Sequence, residues 1–299
     1  MKRLPQIALL SDGRRLHLQD GPIDLIVEAR GRGGEVRAAY EAAAGRFAGL
    51  LDALCAELTE LRKPATSGIC RLTGVVARRM HAAVAPFAAD CFITPMAAVA
   101  GSVAEEILGA MLNAAMLDQA YVNNGGDIAI HLSAGEQFTV GLMDRPDRDG
   151  VMRKMIVDAD DPARGVATSG RHGRSFSLGI ADAVTVLART ASQADAAATV
   201  IANTVDLPGH PAISRCPAND IQPDSDLGAR LVTRDVGALS RDEVRDALDS
   251  GAERARQLFD RGLIEGAVLQ LCGDMLVIGT KDIEPKRSYR RIAENAIHA

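Results

Sequence analysis

Residues 123–127 combine two adjacent glycines with a carboxylate, between two apolar runs. Gly125 and Gly126, after Asn124, permit positive φ and a close approach of a ligand to the backbone. Successive amide N–H groups in such a turn can form a nest for an anion, and Asp127 can accept a hydrogen bond from a hydroxyl or a ring N–H. The alternative is a plain hairpin turn, because Asn-Gly is a strong hairpin signal. Spacing alone leaves both interpretations open.

A second segment, residues 165–174, gathers small residues, hydroxyls and cationic side chains within ten positions. Hydroxyls and amides donate hydrogen bonds and arginine neutralises charge, so the segment suits a ligand with phosphate or carbonyl groups. Its spacing is not that of a Walker loop, and a polar loop without a ligand is the alternative. The polar residues and the glycine among them are Thr168, Ser169, Gly170, Arg171, His172 and Arg174.

A third segment carries an oxygen pair suited to a hard cation. Asp195 and Thr199 are four residues apart in a predicted helix, so their oxygens lie on one face. A carboxylate and a hydroxyl, with backbone carbonyls and water, form a ligand set that Mg²⁺ accepts. The alternative is a helix start, with Ser192 as the N-cap and Asp195 in the first turn.

The composition excludes nucleic acid as a partner. The 299 residues carry a net charge of −5 and only 3% aromatic residues, which gives neither a basic footprint nor stacking platforms. Five cysteines at wide spacing, without a CxxC pair, indicate buried reduced thiols. The first residues are too short for a secretory signal, and charges are expected to interrupt every window long enough to span a membrane. We therefore expect a cytoplasmic protein that does not contact a membrane.

The periodicity predicts mixed elements in both halves of the chain. In the first half we expect strands at 14–18 and 23–29, a long helix at 36–61, a helix at 74–86 and an Ala-rich helix at 96–116. Strands follow at 120–123, 128–132, 138–143, 151–157 and 183–188, then a helix at 192–203. Residues 207–228 are expected to form a long loop or lid. A strand at 231–233, a helix capped by Ser240 and Glu243, and a hairpin at 263–279 end the pattern. This order predicts an α+β fold and permits a duplicated unit.

The three segments together resemble the ApbE family, the magnesium-dependent FAD:protein FMN transferases. The family's Asn-x-Gly-Gly-Asp/Asn-Ile turn is similar to residues 123–128, and its aromatic-x-Val-Gly-Ile strand to 138–142. Its Ala-Thr-Ser-Gly segment matches 167–170, and its Val-Thr-Val strand followed by Ala-Asp-Ala-x-Ala-Thr matches 184–186 and 194–199. The motifs occur in the family's order within about residues 96–203. The resemblance implies one ApbE-like domain over residues 1–299, built from tandem duplicated T-fold-like units with antiparallel sheets and long packed helices.

The resemblance also implies site roles. Asp195 and Thr199 hold Mg²⁺ against the diphosphate of FAD, together with a backbone carbonyl within 97–101. The ligand is lined by Asn124, Gly125, Gly126, Asp127, Thr168, Ser169, Gly170 and Arg171. Tyr121 and Phe138, with Phe176 and Phe92, are the aromatic candidates for contact with the flavin ring. Implied partners are a nucleotide ligand and an acceptor protein, and a homodimer is expected from base rates alone.

The chain departs from the family at its His-Ile-Ile-Asp-Pro-x-Thr-Gly segment, where residues 176–183 keep only Asp182. This departure is typical of a shorter cytosolic branch, with Asp182 and His172 as the candidate catalytic residues. One hypothesis is Mg²⁺-dependent transfer or hydrolysis of FAD to FMN and AMP. The alternatives are a binding protein without catalysis, or an enzyme for another phosphorylated or pterin-like metabolite.

Overall fold

The computed structural model describes residues 4–68, 70–142, 153–279 and 283–285. The elements up to the middle of the chain are β1 (Gln6–Leu9), β2 (Leu16–Asp20), β3 (Ile23–Arg30), α1 (Gly33–Phe47), α2 (Leu50–Ala56), α3 (Leu58–Leu61), α4 (Val75–Val84), α5 (Val99–Ala114), β4 (Gln119–Asn124), β5 (Asp127–Leu132), β6 (Gln137–Leu142) and β7 (Arg153–Asp158). Short 3₁₀ turns at Ala85–Phe87 and Pro95–Ala98 follow α4 and precede α5.

The remaining elements are β8 (Gly165–Ser169), β9 (Ala183–Ala188), α6 (Ala191–Thr204), β10 (Ile213–Pro217), α7 (Ala218–Ile221), β11 (Leu231–Val236), α8 (Arg241–Asp260), β12 (Gly266–Leu271), β13 (Asp274–Ile278) and β14 (Ile283–Pro285). The predicted capping box at the start of α8 is confirmed, because Ser240 and Glu243 exchange side-chain and backbone hydrogen bonds.

A nine-stranded antiparallel sheet forms the centre of the molecule, in the order β1-β2-β3-β4-β5-β8-β9-β12-β13. Within it, β2, β3, the helices α1 to α5, β4 and β5 follow one another as strand, strand, helices, strand, strand. The second run, from β8 and β9 through α6 and α8 to β12 and β13, has the same order, with β10, α7 and β11 inserted between its two helices. The fold is therefore α+β with antiparallel sheets, as the sequence predicts.

Helices and a second sheet cover opposite faces of the central sheet. On one face lie two apolar cores, one around α1, α4 and α5 and one around α6 and α8. On the other face, the three-stranded sheet β14-β7-β6 packs over β5, β8, β9 and β12. Residues that alternate along one strand therefore point into different environments.

Several local predictions are wrong. The single helix at 36–61 is three helices: α1 ends because Ala48 is extended and Gly49 has a φ of +78°, and α2 ends at Glu57, which is not helical. The predicted lid at 207–228 contains β10 and α7, and β10 pairs with β11. The N-cap of α6 is Thr190 rather than Ser192, since Thr190 Oγ1 accepts the N–H of Gln193. Residues 143, 151 and 152 of two predicted strands lie outside the described residues.

One expectation about the cysteines is wrong, and one helix bears on the expectation about the membrane. None of the five free cysteines is buried, and Cys55 and Cys272 are exposed. The helical segment Pro95–Ala114 has the length and the mean hydropathy, 1.3, of a membrane span, and half of that window is buried inside the fold. Glu105 and Glu106 interrupt this window, as expected, although its mean hydropathy is still that of a span. A buried core helix has the same composition, so the match is weak evidence for a membrane span.

Candidate functional site

Two carboxylates from distant parts of the chain meet beside the start of α5. Asp127 begins β5 and points to the helix-covered face, as does Ala129 two residues later. Asp195 lies in the second turn of α6, which packs against α5, β5 and β8. Burial, and then the charge of the neighbouring Asp127, raises the pKa of Asp195. The structure thus brings together the acidic residues of the first and third predicted segments.

Backbone amides hold both carboxylates in place. Oδ2 of Asp195 accepts the N–H of Gly101 at 3.0 Å, and the amide of Ala100 also favours the ionised form. Oδ1 of Asp127 accepts the N–H of Thr168 at 3.2 Å. These bonds lower the pKa of each carboxyl, but burial raises it by more. The net result is that both pKa values lie above the ordinary carboxyl value, so the pair is poised to gain a cation or a proton.

The close contact between α5 and α6 at this point depends on Gly101, which has no side chain. A Cβ on Gly101 would lie 2.3 Å from the carbonyl oxygen of Ala191 and 2.8 Å from the N atom of Ser192. Glycine therefore lets the two helix backbones approach closely enough for the Gly101 amide to reach Asp195. Asp195 is not in the first turn of α6, so its alternative role as a helix-start residue does not apply.

The oxygen donors fit Mg²⁺ in type. Thr199 is partly buried one helical turn after Asp195, so its hydroxyl shares the face of the carboxylate. Mg²⁺ commonly takes one or two carboxylates and completes its shell with water and substrate phosphates. Among the described residues no cluster of three or more His, Cys, Asp or Glu side chains could hold a metal alone. The protein offers a partial ligand set, which is the kind used for a cation carried with a phosphorylated ligand.

The Gly-Gly turn is a tight hairpin whose polar groups are mostly engaged. Gly125 and Gly126 have φ of +67° and +114°, and the N–H of Gly126 donates to Oδ1 of Asn123 at 2.8 Å. Nδ2 of Asn124 donates to the carbonyl of Ala100 at 3.1 Å. The proposed anion nest therefore lacks the N–H of Gly126. Instead, the turn ties β4 and β5 to the backbone that precedes Gly101.

The hydroxyls of the second segment lie on different faces of the sheet. Oγ1 of Thr168 is 2.8 Å from Oγ1 of Thr185, on the face away from the helices. Strand alternation places Ser169 on the opposite face, which Asp127 also shares. Gly170 comes next, and a Cβ there would lie 2.5 Å from the carbonyl oxygen of Asp182. The backbone of this segment therefore approaches Asp127, while the side chain of Thr168 does not.

Asp182 is the centre of an ionic clamp. Its Oδ1 accepts from Nε and Nη2 of Arg171 at 2.9 and 2.6 Å and lies 3.2 Å from Nε2 of His172. Its Oδ2 accepts the N–H of Cys272 at 2.6 Å. The clamp joins the loop after β8 to the turn between β12 and β13. Arg171 is thus already neutralised by a carboxylate, and the catalytic roles of Asp182 and His172 remain predictions.

The aromatic residues nearest the Gly-Gly turn lie away from the carboxylates. The side chain of Tyr121 points to the face opposite its neighbour Val122, and its ring centroid is 5.3 Å from that of Phe138. The two rings line a cavity of about 100 Å³ together with Glu28, Ala29, Arg30 and Gln119. Pockets for drug-sized ligands are several times larger. Tyr121 is near the turn in sequence, but the alternation of side chains along the strand places it on the face of the sheet opposite Asp127.

Comparisons with known proteins show the family of the chain. A family model described as AbpE bacteria matches residues 7–277. A UPF0280 protein of Methanopyrus kandleri is 41% identical over 129 residues, 43% of this chain and 48% of the relative. Another, of Archaeoglobus fulgidus, is 40% identical over 113 residues, 38% of this chain and 45% of the relative. The chain spans about half the length of the curated relatives it matches. The extent of the family match shows that the chain belongs to the AbpE bacteria family, an ApbE-like family.

Proposed function

We propose that the protein binds a nucleotide diphosphate together with Mg²⁺ and that FAD is its ligand. The observation that supports this most is the pair Asp127 and Asp195, two converging carboxylates each held by a backbone N–H. Thr199 is the third oxygen donor. Two neighbouring, partly buried carboxylates repel one another, and a divalent cation relieves both the repulsion and the cost of burial.

Bound Mg²⁺ would neutralise the diphosphate and polarise its phosphorus–oxygen bonds. The residues of this chain fix the geometry around it. Gly101 N–H orients Asp195, and Thr168 N–H orients Asp127, so both carboxylates are held in place before the ligand arrives. The bond from Asn124 to Ala100 holds the Gly-Gly turn against the start of α5. Preorganisation of this kind lowers the entropic cost of binding.

We extend the proposal to the origin of the fold and to the cellular location of the protein. The two strand-strand-helix-strand-strand runs support a tandem duplication of T-fold-like units, and we place the protein in the cytoplasm. We further propose that the bound FAD is cleaved to FMN and AMP, with water or an acceptor protein receiving the FMN. Asp182 and His172, at the same end of the sheet, are the candidates for proton transfer in that step.

A second candidate ligand is another phosphorylated or pterin-like metabolite. The position of Tyr121 and Phe138 supports this alternative, because the aromatic residues nearest the turn lie away from the carboxylate pair. The elements around Asp127 and Asp195 favour the phosphate end of a ligand more than a large ring.

Isothermal titration and product analysis test the proposal. We expect purified protein to bind FAD only with Mg²⁺ present, and Asp195→Asn and Asp127→Asn each to weaken binding at least tenfold. The matched control is Asp249→Asn, an exposed aspartate on α8. Chromatography of the incubated mixture should show FMN and AMP, or FMN attached to an acceptor. Absence of binding to FAD with Mg²⁺ would contradict the flavin proposal, and binding that is insensitive to both variants would remove the carboxylates from the site.

A further inference from the structure

One arginine of the loop after β8 lies against the Gly-Gly turn. A Cβ on Gly125 would be 3.6 Å from Nη1 and 3.7 Å from Cζ of Arg174, so the guanidinium packs against the open side of the turn. The side chain is exposed, and it forms no ion pair with any residue that the structure describes. A guanidinium in this state can still use its donors for a ligand.

The loop that carries Arg174 is fixed at several points. The N–H of Arg171 donates to Ala181 at 2.9 Å, and the N–H of Gly173 donates to Gly170 at 3.1 Å. The Asp182 clamp holds the side chain of Arg171 in addition. Asp182 cancels the charge of Arg171, whereas the charge of Arg174, three residues later, has no such partner among the described residues. Arg171 therefore anchors the loop, and Arg174 lies exposed at the turn.

The turn places this cation close to the carboxylate pair. Gly125 precedes Asp127 by two residues, so their backbones are at most about 7 Å apart, the reach of two fully extended residues. A guanidinium beside Gly125 and a cation at Asp127 and Asp195 would thus be near enough for one diphosphate to contact both. Arginine donors suit phosphate oxygens because the planar fork can bond two of them.

We propose that Arg174 binds a phosphate group of the ligand on the side away from the Asp127–Asp195 pair. This inference rests on the proposed function and assigns one phosphate contact of that ligand to a single side chain. Arg174, and not Arg171, then supplies the positive side chain that recognises the phosphate. A phosphate-free analogue such as riboflavin gains nothing from this contact.

Titration of inorganic pyrophosphate and of riboflavin, each with Mg²⁺, tests this role in the full-length protein. We expect Arg174→Gln to weaken pyrophosphate binding at least tenfold and Arg174→Lys to weaken it less. Riboflavin binding should not change. The control is Arg245→Gln, because Arg245 is exposed on α8 and pairs only locally with Asp242. The melting temperature should stay the same in all three variants, since both arginines are exposed.

The outcomes separate this inference from the proposed function. If the wild type binds pyrophosphate with Mg²⁺ and Arg174→Gln binds it within twofold of the wild type, Arg174 is not a phosphate ligand and the carboxylate site stands. If the wild type binds FAD with Mg²⁺ but not pyrophosphate, the proposed role of Arg174 is contradicted and the proposed function stands. If the wild type binds neither pyrophosphate nor FAD, both proposals fail.

Discussion

The backbone N–H of Gly101 donates to Oδ2 of Asp195 at 3.0 Å, across 94 residues of sequence. This bond joins the start of α5 to the second turn of α6. The orientation of the Asp195 carboxylate therefore depends on how closely the two helices pack. The absence of a side chain at Gly101 is what lets the amide reach Asp195.

Gly101→Ala should separate the helices. The new methyl group would lie 2.3 Å from the carbonyl oxygen of Ala191, and backbone cannot yield there as a flexible side chain could. We expect a loss of about 1–3 kcal/mol of unfolding free energy in urea denaturation, together with loss of Mg²⁺-dependent binding. Gly109→Ala is the control within the same helix, because a Cβ there meets nothing within 4 Å. It should gain about 0.5–1 kcal/mol. Equal effects of the two substitutions would refute the close approach.

The capping box of α8 should contribute stability that depends on pH. The N–H of Ser240 donates to Glu243 at 2.6 Å, and this bond together with His210 lowers the pKa of Glu243 to about 2. A lowered carboxyl pKa stabilises the fold above the unfolded value, near 4.5, and this contribution is lost as the pH falls towards 2. Glu243→Gln should therefore flatten part of the acid denaturation curve between those values. A curve identical to that of the wild type in this range would contradict the assignment.

Local sequence patterns predicted the candidate site residues and the capping box of α8. They did not predict the distant residues that the site residues contact. The Asn-Gly-Gly-Asp pattern indicates a turn because its residues contact one another within four positions. The role of Asp195 depends on Gly101 and Asp127, which lie far away in sequence. A periodic pattern in the sequence does not predict such contacts. The sequence resemblance supplied this pairing in part, since it named 97–101 and Asp195 together.

Other features were missed because one residue outweighed a periodic pattern. The apolar repeat continues through residues 36–61, yet the left-handed Gly49 separates α1 from α2. Arg171 and Arg174 look equivalent in the sequence. Only the fold shows that Arg171 pairs with Asp182 while Arg174 lies against Gly125.

Asp182→Asn should loosen the end of the sheet where the loop after β8 meets the β12–β13 turn. The substitution leaves the guanidinium of Arg171, whose side chain is 16% exposed, without its carboxylate. Breaking such a largely buried pair costs about 3 kcal/mol. Amide hydrogen exchange should accelerate at Cys272, whose N–H now donates to Asp182. The control is Glu265→Gln, which removes the exposed pair with Arg189 and should cost less than about 1 kcal/mol. A loss for Asp182→Asn as small as that of the control would show that the clamp does not hold the loop.

Asp195→Asn should stabilise the protein at neutral and higher pH when no divalent cation is present. Burial, and then the charge of Asp127, raises the pKa of Asp195, so the folded state holds a proton that the unfolded chain releases. The wild type should consequently lose unfolding free energy as the pH rises above the ordinary carboxyl value of about 4. Asparagine keeps an oxygen for the N–H of Gly101 and removes the charge. Thermal melts at pH 5 and pH 8, with and without Mg²⁺, measure the effect. The melting temperature of the variant should exceed that of the wild type at pH 8 in EDTA, and Mg²⁺ should raise only the wild type. A less stable variant in EDTA would mean that the two carboxylates do not repel each other in the folded protein.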